Sequence, residues 1–350
     1  MKSPKIRFKG FDGDWEQRKV SELFKVTRGY VLAATLTEPA KTDEMPYPVY
    51  SSQTKDNGLM GYYKDYLYED AITWTTDGAN AGTVNYRAGK FYCTNVCGVL
   101  LSNEVTANQM IAEALNNVAK GYVSYVGNPK LMNNVMADIE IMIPTHAEER
   151  EKLSVFFRNL DNLITLHQKK FEQLTILKKY MLQKMFPQNG SDKPEIRFDG
   201  FTDDWEQRKL SDVVDVRSGR DYKHLEEGDI PVYGTGGYML SVSEALSDDE
   251  DAIGIGRKGT IDNPYILRAP FWTVDTLFYA VPREKHDLNF VYGIFQNINW
   301  KAKDESTGVP SLSKATINAV STMTPDYEEQ RLIGEYFSNL DHLITLHHRK

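Results

Sequence analysis

The length, composition and charge of the chain set broad limits on what it is. The sequence has 350 residues, 41% hydrophobic and 26% charged, which is typical of globular proteins and long enough for two domains. No apolar run approaches the roughly 20 residues of a membrane span, and the N-terminus lacks the apolar core of a signal peptide, so we expect a cytoplasmic protein with no membrane segment. The net charge of −8 argues against a surface coated in basic residues, but it allows nucleic-acid contacts confined to a few loops.

An internal repeat organises the sequence. Residues 4–19, PKIRFKGFDGDWEQRK, and residues 194–209, PEIRFDGFTDDWEQRK, are identical at twelve of sixteen positions, and we call them the opening boxes. A second passage, NLDNLITLHQKK at 159–170, returns as NLDHLITLHHRK at 339–350. This period is far longer than the 20–50 residues of a solenoid repeat, so we predict a duplicated domain. Trp15 and Trp205 in the boxes are predicted to pack inside it.

A mixed segment follows each box, at 20–143 and 210–323. Short alternating runs broken by Gly, Asn-Gly and Pro predict β-rich domains with one or two short helices, one of them over 107–119. The two segments have diverged, but four landmarks keep their order: PVYSS (48–52) and PVYGT (231–235), AITWTTDGANAGTV (71–84) and AIGIGRKGTIDNPY (252–265), KFYCTN (90–95) and PFWTVD (270–275), GNPKL (127–131) and GVPSL (308–312).

Two cysteines, Cys93 and Cys97, lie in a run that alternates like a strand. No second Cys/His pair accompanies them, so we expect no zinc site and predict that both are buried strand residues.

A long amphipathic helix closes each copy. Thr145 and Glu148 have capping-box spacing at its start, and the first helix is predicted to run for about 40 residues, or roughly 60 Å, which is longer than one domain can cover. Its apolar stripe therefore needs a second helix, and the linker directs the chain back along the first, which predicts an antiparallel coiled coil. The alternative is that each helix packs on its own domain. The predicted seam consists of Leu153, Phe157, Leu160, Ile164, His167, Phe171, Leu174, Phe337, Leu340, Ile344 and His347.

These elements together predict an α+β fold with a pseudo-twofold internal repeat. The predicted parts are a first β-rich domain at 1–144, a long helix at 145–187, a linker at 188–193, a second β-rich domain at 194–324 and a second helix at 325–350.

The whole arrangement resembles the specificity subunit of type I restriction–modification enzymes. The features that carry the resemblance are the paired I-R-F-x-G-F-x-x-x-W-E-Q-R-K boxes, the N-L-D-x-L-I-T-L-H helices and the PVY, FWTVDT and GVPSL landmarks. Together they cover essentially the whole chain.

The resemblance implies two target-recognition domains, each reading one half of a bipartite, asymmetric sequence in double-stranded DNA, with the paired helices setting the gap between the halves. It implies a subunit that is not catalytic itself and directs adenine methylation by two methyltransferase subunits, which carry S-adenosylmethionine. Two restriction subunits that use ATP and Mg are optional partners. We expect no cofactor or metal in this chain, and we expect four residues inserted within 160–180 to lengthen the gap or abolish methylation.

One departure from the family pattern concerns the second helix. It stops at Lys350, roughly 35 residues before the point that the repeat leads one to expect, which predicts weaker docking of one methyltransferase subunit.

Candidate DNA-reading residues follow from the chemistry of base readout. Arg and Lys suit guanine, Asn and Gln suit adenine, and glycine-containing loops allow close approach to a groove. The candidates of the first domain are Ser51, Ser52, Gln53, Lys55, Asn57, Thr75, Thr76, Asn80, Tyr122, Tyr125, Asn128 and Lys130. Those of the second are Arg217, Arg220, Tyr222, Lys223, Arg257, Lys258, Thr260, Lys301, Lys303, Ser311 and Lys314, with Arg257 and Lys258 the strongest pair.

Two alternatives stay open from the sequence alone. A stand-alone nuclease or methyltransferase would need a catalytic motif, and DNPY at 262–265 and GTGG at 234–237 are poor matches to such motifs. A protein-binding scaffold would use only the long helices.

Overall fold

The computed structural model describes residues 4–52, 55–188 and 190–348, with the side chain of Lys55 left out. The chain divides into two compact units, unit 1 (Met1–Thr165) and unit 2 (Leu166–Lys350). Both mix strands and helices, which confirms the predicted α+β repeat. Among the described residues, no helix combines the length and apolarity that crossing a bilayer requires.

Unit 1 is built around one six-stranded sheet of order β2-β7-β5-β6-β3-β4, in which only β3 and β6 run parallel. A separate antiparallel pair joins β1 to β8. The strands are β1 (Glu16–Lys19), β2 (Phe24–Arg28), β3 (Tyr47–Tyr50), β4 (Leu59–Tyr63), β5 (Tyr68–Thr75), β6 (Val84–Cys93), β7 (Cys97–Ser102) and β8 (Glu140–Ile143). The helices are α1 (Val20–Leu23), α2 (Gln109–Ala119), α3 (Asn133–Asp138) and the start of α4 (Ala147–Lys184).

The core of unit 1 lies between the sheet and α2. The helix starts where the Asn108 side chain accepts a hydrogen bond from the Ile111 N–H at 3.1 Å, which satisfies one of the free donors of its first turn. Its apolar face buries Ile111 and Leu115 against Ile72 and Leu100 of the sheet. The helix predicted over 107–119 is therefore present.

Unit 2 repeats this plan with a more divided sheet. Its strands form a four-stranded sheet of order β10-β16-β13-β14, a three-stranded sheet of order β12-β11-β15 and the pair β17-β9. The strands are β9 (Glu206–Lys209), β10 (Val214–Ser218), β11 (Glu227–Gly234), β12 (Gly237–Val242), β13 (Ala252–Gly256), β14 (Tyr265–Leu267), β15 (Trp272–Thr273), β16 (Leu277–Pro282) and β17 (Ser321–Thr324). The helices are α5 (Leu210–Val213), α6 (Leu288–Asn297), α7 (Lys314–Ala319) and α8 (Tyr327–His348).

Within unit 2, the second half of α4 pairs with α8. The His167 and His347 Nδ1 atoms are 2.8 Å apart, and further along the Lys178 Nζ donates to Asp341 Oδ1 at 2.5 Å. As the residue number rises along α4, the number of its partner in α8 falls, so the two helices are antiparallel. Leu174, Phe337 and Leu340 are buried in the core that this pairing completes.

The first half of α4 behaves differently from the predicted continuous seam. Leu153 and Phe157 pack against the core of unit 1, while Leu160 and Ile164 are 38% and 55% exposed. Among the described residues of unit 2, the contacts of α4 with α8 begin at His167, so the seam at Leu160 and Ile164 stays a prediction. Each of the two alternatives for the helix therefore holds for one half of it.

The opening boxes clamp the first turns of the long helices. In unit 1 the Arg7 guanidinium donates to both carboxylate oxygens of Glu149, at 2.6 and 2.7 Å. In unit 2 Arg197 binds Glu329 in the same bidentate way and at the same distances. Both glutamate side chains are fully buried, and a carboxylate in a first helical turn also suits the helix dipole.

The box tryptophans pack as predicted. Trp205 is buried among Phe186 and Phe290, and Trp15 lies against the core of unit 1. The repeated box is thus the part of each copy that fixes the chain start to its helix.

We expect the substitution Arg197→Met to lower the free energy of unfolding by roughly 3–5 kcal/mol, because it leaves the buried Glu329 charge without a partner. The matched change Lys193→Met removes an exposed pair with Asp204 and should cost less than about 1 kcal/mol. Urea unfolding of both variants measures the difference, and equal costs would contradict a buried clamp.

Acid should weaken the clamp of unit 1. The hydrogen bonds from Arg7 lower the pKa of Glu149, so its contribution is complete above its unfolded pKa of about 4.3 and is lost as the pH falls through the lower folded value. The free energy of unfolding, measured from about pH 6 down to about pH 3, should therefore fall more steeply for the natural chain than for Glu149→Gln. This range spans the unfolded glutamate pKa of about 4.3. Parallel curves would show that this carboxylate does not contribute.

Candidate nucleic-acid interface

Three loops of unit 1 that carry predicted DNA contacts lie side by side. The Gly78 N–H donates to the Pro129 carbonyl at 2.9 Å, and the Leu131 N–H donates to the Thr76 carbonyl at 2.9 Å. The Asn80 side-chain amide donates to the Ser52 carbonyl at 3.1 Å and ties in the loop after β3. We call the described residues 51–52, 55–58, 76–82 and 122–130 the recognition loops of unit 1.

Unit 2 repeats the same backbone bonds. The Gly259 N–H donates to the Pro310 carbonyl at 2.9 Å, and the Leu312 N–H donates to the Arg257 carbonyl at 3.0 Å. These bonds match Gly78–Pro129 and Leu131–Thr76 one for one. We call residues 220–223, 235–239, 257–260 and 301–314 the recognition loops of unit 2.

A glycine holds a further loop close to each sheet. The Tyr30 N–H donates to the Cys93 carbonyl at 3.1 Å, and the Arg220 N–H donates to the Thr273 carbonyl at 2.9 Å. A Cβ on the preceding Gly219 would lie 2.0 Å from the Val274 carbonyl oxygen, far inside van der Waals contact. Only glycine fits there, and both units have glycine at this position, Gly29 and Gly219.

The side chains on this shared backbone differ between the units. The bonds pair Thr76 with Arg257, and hence Asp77 with Lys258. They also pair Tyr30 with Arg220. The loop backbones are alike in the two units, but the side chains at equivalent positions differ. The two surfaces are therefore suited to ligands that have the same overall shape and different chemical groups.

Charge separates the two surfaces. On the recognition loops of unit 2, six exposed cations take part in no ion pair among the described residues: Arg220, Lys223, Arg257, Lys258, Lys303 and Lys314. Lys301 is bound to Asp262 at 2.7 Å and lowers the pKa of that carboxyl. Unit 1 instead presents Tyr122 and Tyr125, which are 48% and 69% exposed, and Lys130 lies 3.7 Å from Asp77. The recognition loops of unit 2 therefore carry more positive charge than those of unit 1.

Most of the other predicted residues lie on these loops. Asn57, Asn128 and Thr260 are exposed, while Ser51, Ser52, Asn80, Tyr222 and Ser311 are half-buried. Gln53 lies outside the described residues, and only the backbone of Lys55 is described.

Three predicted residues leave the candidate set. Thr75 and Thr76 are 7% and 6% exposed at the end of β5, and the Thr76 hydroxyl donates to Asp77 at 2.7 Å. The Arg217 guanidinium is held by Asp215 at 2.7 Å and Glu250 at 2.5 Å, which raises its pKa. Thr76 and Arg217 thus already have partners inside their units, and Thr75 is buried, which disfavours all three as base contacts.

Some surface residues were not predicted from the sequence. Tyr30 is 63% exposed, and aligning VTRGY (26–30) with VRSGR (216–220) would have matched it to the candidate Arg220. Tyr238 and Met239 are 63% and 50% exposed beside a cleft of about 660 Å³ that Tyr222, Lys223 and Thr276 also line. No pattern in the sequence marks that hairpin.

The two cysteines lie beneath the surface of unit 1. Cys93 ends β6, Cys97 begins β7, and both are buried free thiols, as predicted. Burial raises the pKa of Cys97 to about 11 and raises that of Cys93 further.

We therefore expect both thiols to react slowly with a disulfide reagent in the native chain. At pH 8, roughly one Cys97 in a thousand would be a thiolate, which is the reactive form. The same chain in urea provides the control and should react rapidly at both positions. Rapid reaction of the folded chain would contradict this burial.

Comparison with known proteins adds independent evidence. The model of a family described as the type I restriction modification DNA specificity domain matches residues 12–175 and 202–350. A putative type I specificity subunit of Mycoplasma pneumoniae, S.MpnORF507P, is 25% identical over 93% of this chain and 89% of its own length. The N-terminus of a second one, S.MpnORF289P, is 40% identical, but over 35% of this chain and 66% of its own length, just under two thirds.

More distant relatives are also specificity subunits of type I systems. The MjaVIII specificity subunit of Methanocaldococcus jannaschii is 22% identical over 95% of this chain and 87% of its own length. The crystal structure of an S subunit of a type I restriction-modification system from M. genitalium covers 99% of this chain and 94% of its own, with a TM-score of 0.77 and 17% identity. That structural likeness supports the fold.

Proposed function

The chain belongs to the family of type I restriction modification DNA specificity domains, and we propose from this premise that it reads a bipartite, asymmetric sequence in double-stranded DNA. Each unit reads one half of the target. The chain is not catalytic itself; it directs adenine methylation, and restriction where the partners are present.

One observation carries this proposal: the same backbone hydrogen bonds hold different side chains in the two units. The bonds Gly78–Pro129 and Gly259–Pro310 are equivalent, yet Thr76 and Asp77 in one unit correspond to Arg257 and Lys258 in the other. A protein that binds one partner twice would keep these side chains equal. A protein that reads two different half-sites of one DNA duplex needs a common docking backbone with different reading groups.

The partners we propose are two methyltransferase subunits, which supply S-adenosylmethionine, and optionally two restriction subunits, which use ATP and Mg. The opening boxes and long helices, which are the best-repeated parts of the sequence, are suited to meeting the same partner twice. The divergent loops are suited to recognising DNA sequences that differ between the two half-sites.

The function is tested by assembling the purified chain with its methyltransferase subunit and mapping methylated adenines on genomic DNA. We expect one bipartite motif, modified in both halves, and no methyl transfer by the chain alone. Transfer by the chain alone would identify an enzyme instead. An assembled complex that binds no DNA would favour a protein-binding scaffold.

A sharper prediction concerns the basic pair of unit 2. Replacing Arg257 and Lys258 by alanine should weaken DNA binding. It should also reduce the slope of the logarithm of the binding constant against the logarithm of the salt concentration, by about one for each lost phosphate contact. A residue of the pair that contacts a base should also relax the preference at one position of one half-site. Binding and methylation measured across several salt concentrations resolve the two effects.

The control for the basic pair is Lys179→Ala, which removes an exposed cation from α4 rather than from a recognition loop. We expect it to leave both the motif and the salt dependence unchanged. If the loop variant behaves like this control, Arg257 and Lys258 do not contact DNA.

A further inference from the structure

We propose that Arg87 in unit 1 and Tyr265 in unit 2 are positioning residues, which hold the hairpin loop of each recognition surface in the conformation that reads its half-site. The inference rests on the proposed function. It adds residues that act on the loops from inside each unit and do not touch DNA.

Arg87 is a buried cation that reaches the loop of unit 1. It stands on β6, is 8% exposed, and its Nη2 donates to the Asn57 carbonyl at 2.7 Å. Its Nε donates to the Thr73 hydroxyl at 3.1 Å, and its guanidinium carbon lies 3.7 Å from the centre of the Tyr50 ring. No carboxylate pairs with Arg87 among the described residues.

The loop that Arg87 holds has an uncommon backbone conformation. Asp56 and Asn57 are consecutive residues with φ angles of 50° and 52°, in the left-handed region that, apart from glycine, Asp and Asn tolerate best. The Ser51 N–H closes the loop on the Gly58 carbonyl at 2.8 Å. Such a conformation persists only where its surroundings enforce it, and Arg87 makes the buried bond to its centre.

In unit 2, a tyrosine hydroxyl takes the place of the arginine as the side-chain donor to the hairpin loop. The Tyr265 hydroxyl donates to the Gly234 carbonyl at 2.6 Å, at the end of β11, where the turn to β12 begins. Its ring lies 6.1 Å from Tyr233. Tyr233 corresponds to Tyr50, because their carbonyls accept equivalent bonds from Val274 and Thr94.

Strand register shows how the two anchors are related. Ala71 pairs with Arg87 in unit 1, and its counterpart Ala252 pairs with Leu267 in unit 2. Leu267 is fully buried, so this position of the fold accepts an apolar side chain. Tyr265 is two residues earlier on the same face of its strand, which directs its hydroxyl to the same region.

Energetics favour a positioning role for Arg87. A buried guanidinium with only neutral partners is costly, and burial lowers its pKa. Leu267 in unit 2 shows that a leucine would fill the site without that cost. What leucine cannot supply is the bond to the Asn57 carbonyl.

The test uses three complexes with the methyltransferase subunit: the natural chain, Arg87→Leu and Tyr265→Phe. Methylation rates are measured on a DNA library in which each half-site is randomised in turn. We expect Arg87→Leu to reduce discrimination by about tenfold in one half-site only. Tyr265→Phe should do the same in the opposite half-site only.

Two controls separate positioning from general destabilisation. Thr73→Val removes the other hydrogen-bond partner of Arg87, and Tyr279→Phe removes a buried hydroxyl from unit 2 outside its loops. Both should keep the natural preference, even if their melting temperatures fall. Rescue of Arg87→Leu by high enzyme concentration without recovery of discrimination would support the proposal.

The outcomes also separate this inference from the proposed function. If the natural complex shows no sequence preference, the proposed function fails. If the natural complex is specific but Arg87→Leu and Tyr265→Phe keep its full motif, or relax the same half-site, the positioning role is overturned on its own.

Discussion

The buried bidentate pair between an opening-box arginine and a glutamate in the first turn of a long helix is the interaction on which each copy depends. Arg7 with Glu149, and Arg197 with Glu329, join residues 142 and 132 positions apart with nearly identical geometry. A fully buried carboxylate is tolerable only with such a partner. The pair therefore fixes where the domain ends and its helix begins.

That constraint explains how the rest of each unit can diverge. With both ends of the domain tied to one helix, the sheet between them needs only its strand pairing and a few close approaches, such as Gly219 against the Val274 carbonyl. Several of the bonds that join the exposed loops, such as Leu131–Thr76 and Leu312–Arg257, run from backbone to backbone and do not depend on side-chain identity. Thr76 can thus correspond to Arg257 without disturbing the scaffold. A protein that recognises different DNA sequences with one fold needs this separation, in which the backbone supports the loops and the side chains determine the sequence.

Much of the fold could be predicted from the sequence because the duplication is nearly literal in the boxes and helices. Helix α2 and the antiparallel pairing of α4 with α8 followed from apolar spacing and connectivity. At the exposed Leu160 and Ile164 the seam stays a prediction, because heptad spacing does not reveal which stretch of a stripe meets a partner. Residue type marked Thr75 and Arg217 as candidates, but it does not show that Thr75 is buried at a strand end or that Arg217 is paired with Asp215 and Glu250. Tyr30 was within reach of the repeat alignment, whereas the anchors Arg87 and Tyr265 were not, since their roles depend on contacts 30 or more residues away.

The distribution of charge between the units bears on how an acidic protein binds a polyanion. The chain carries a net charge of −8, yet the loops of unit 2 hold six exposed cations outside any ion pair among the described residues. Phosphate attraction supplies affinity without sequence information, while hydrogen bonds and ring contacts to bases supply discrimination. Unit 2 is equipped for both, because Arg and Lys serve phosphates and guanines alike. Unit 1, with Asn57, Asn128 and its exposed tyrosines, presents mainly neutral groups, so in the function that we propose it would contribute more to discrimination than to affinity. Because the net charge of −8 repels every duplex, target or not, the proposed DNA binding depends on local contacts from these loops and not on the charge of the whole chain.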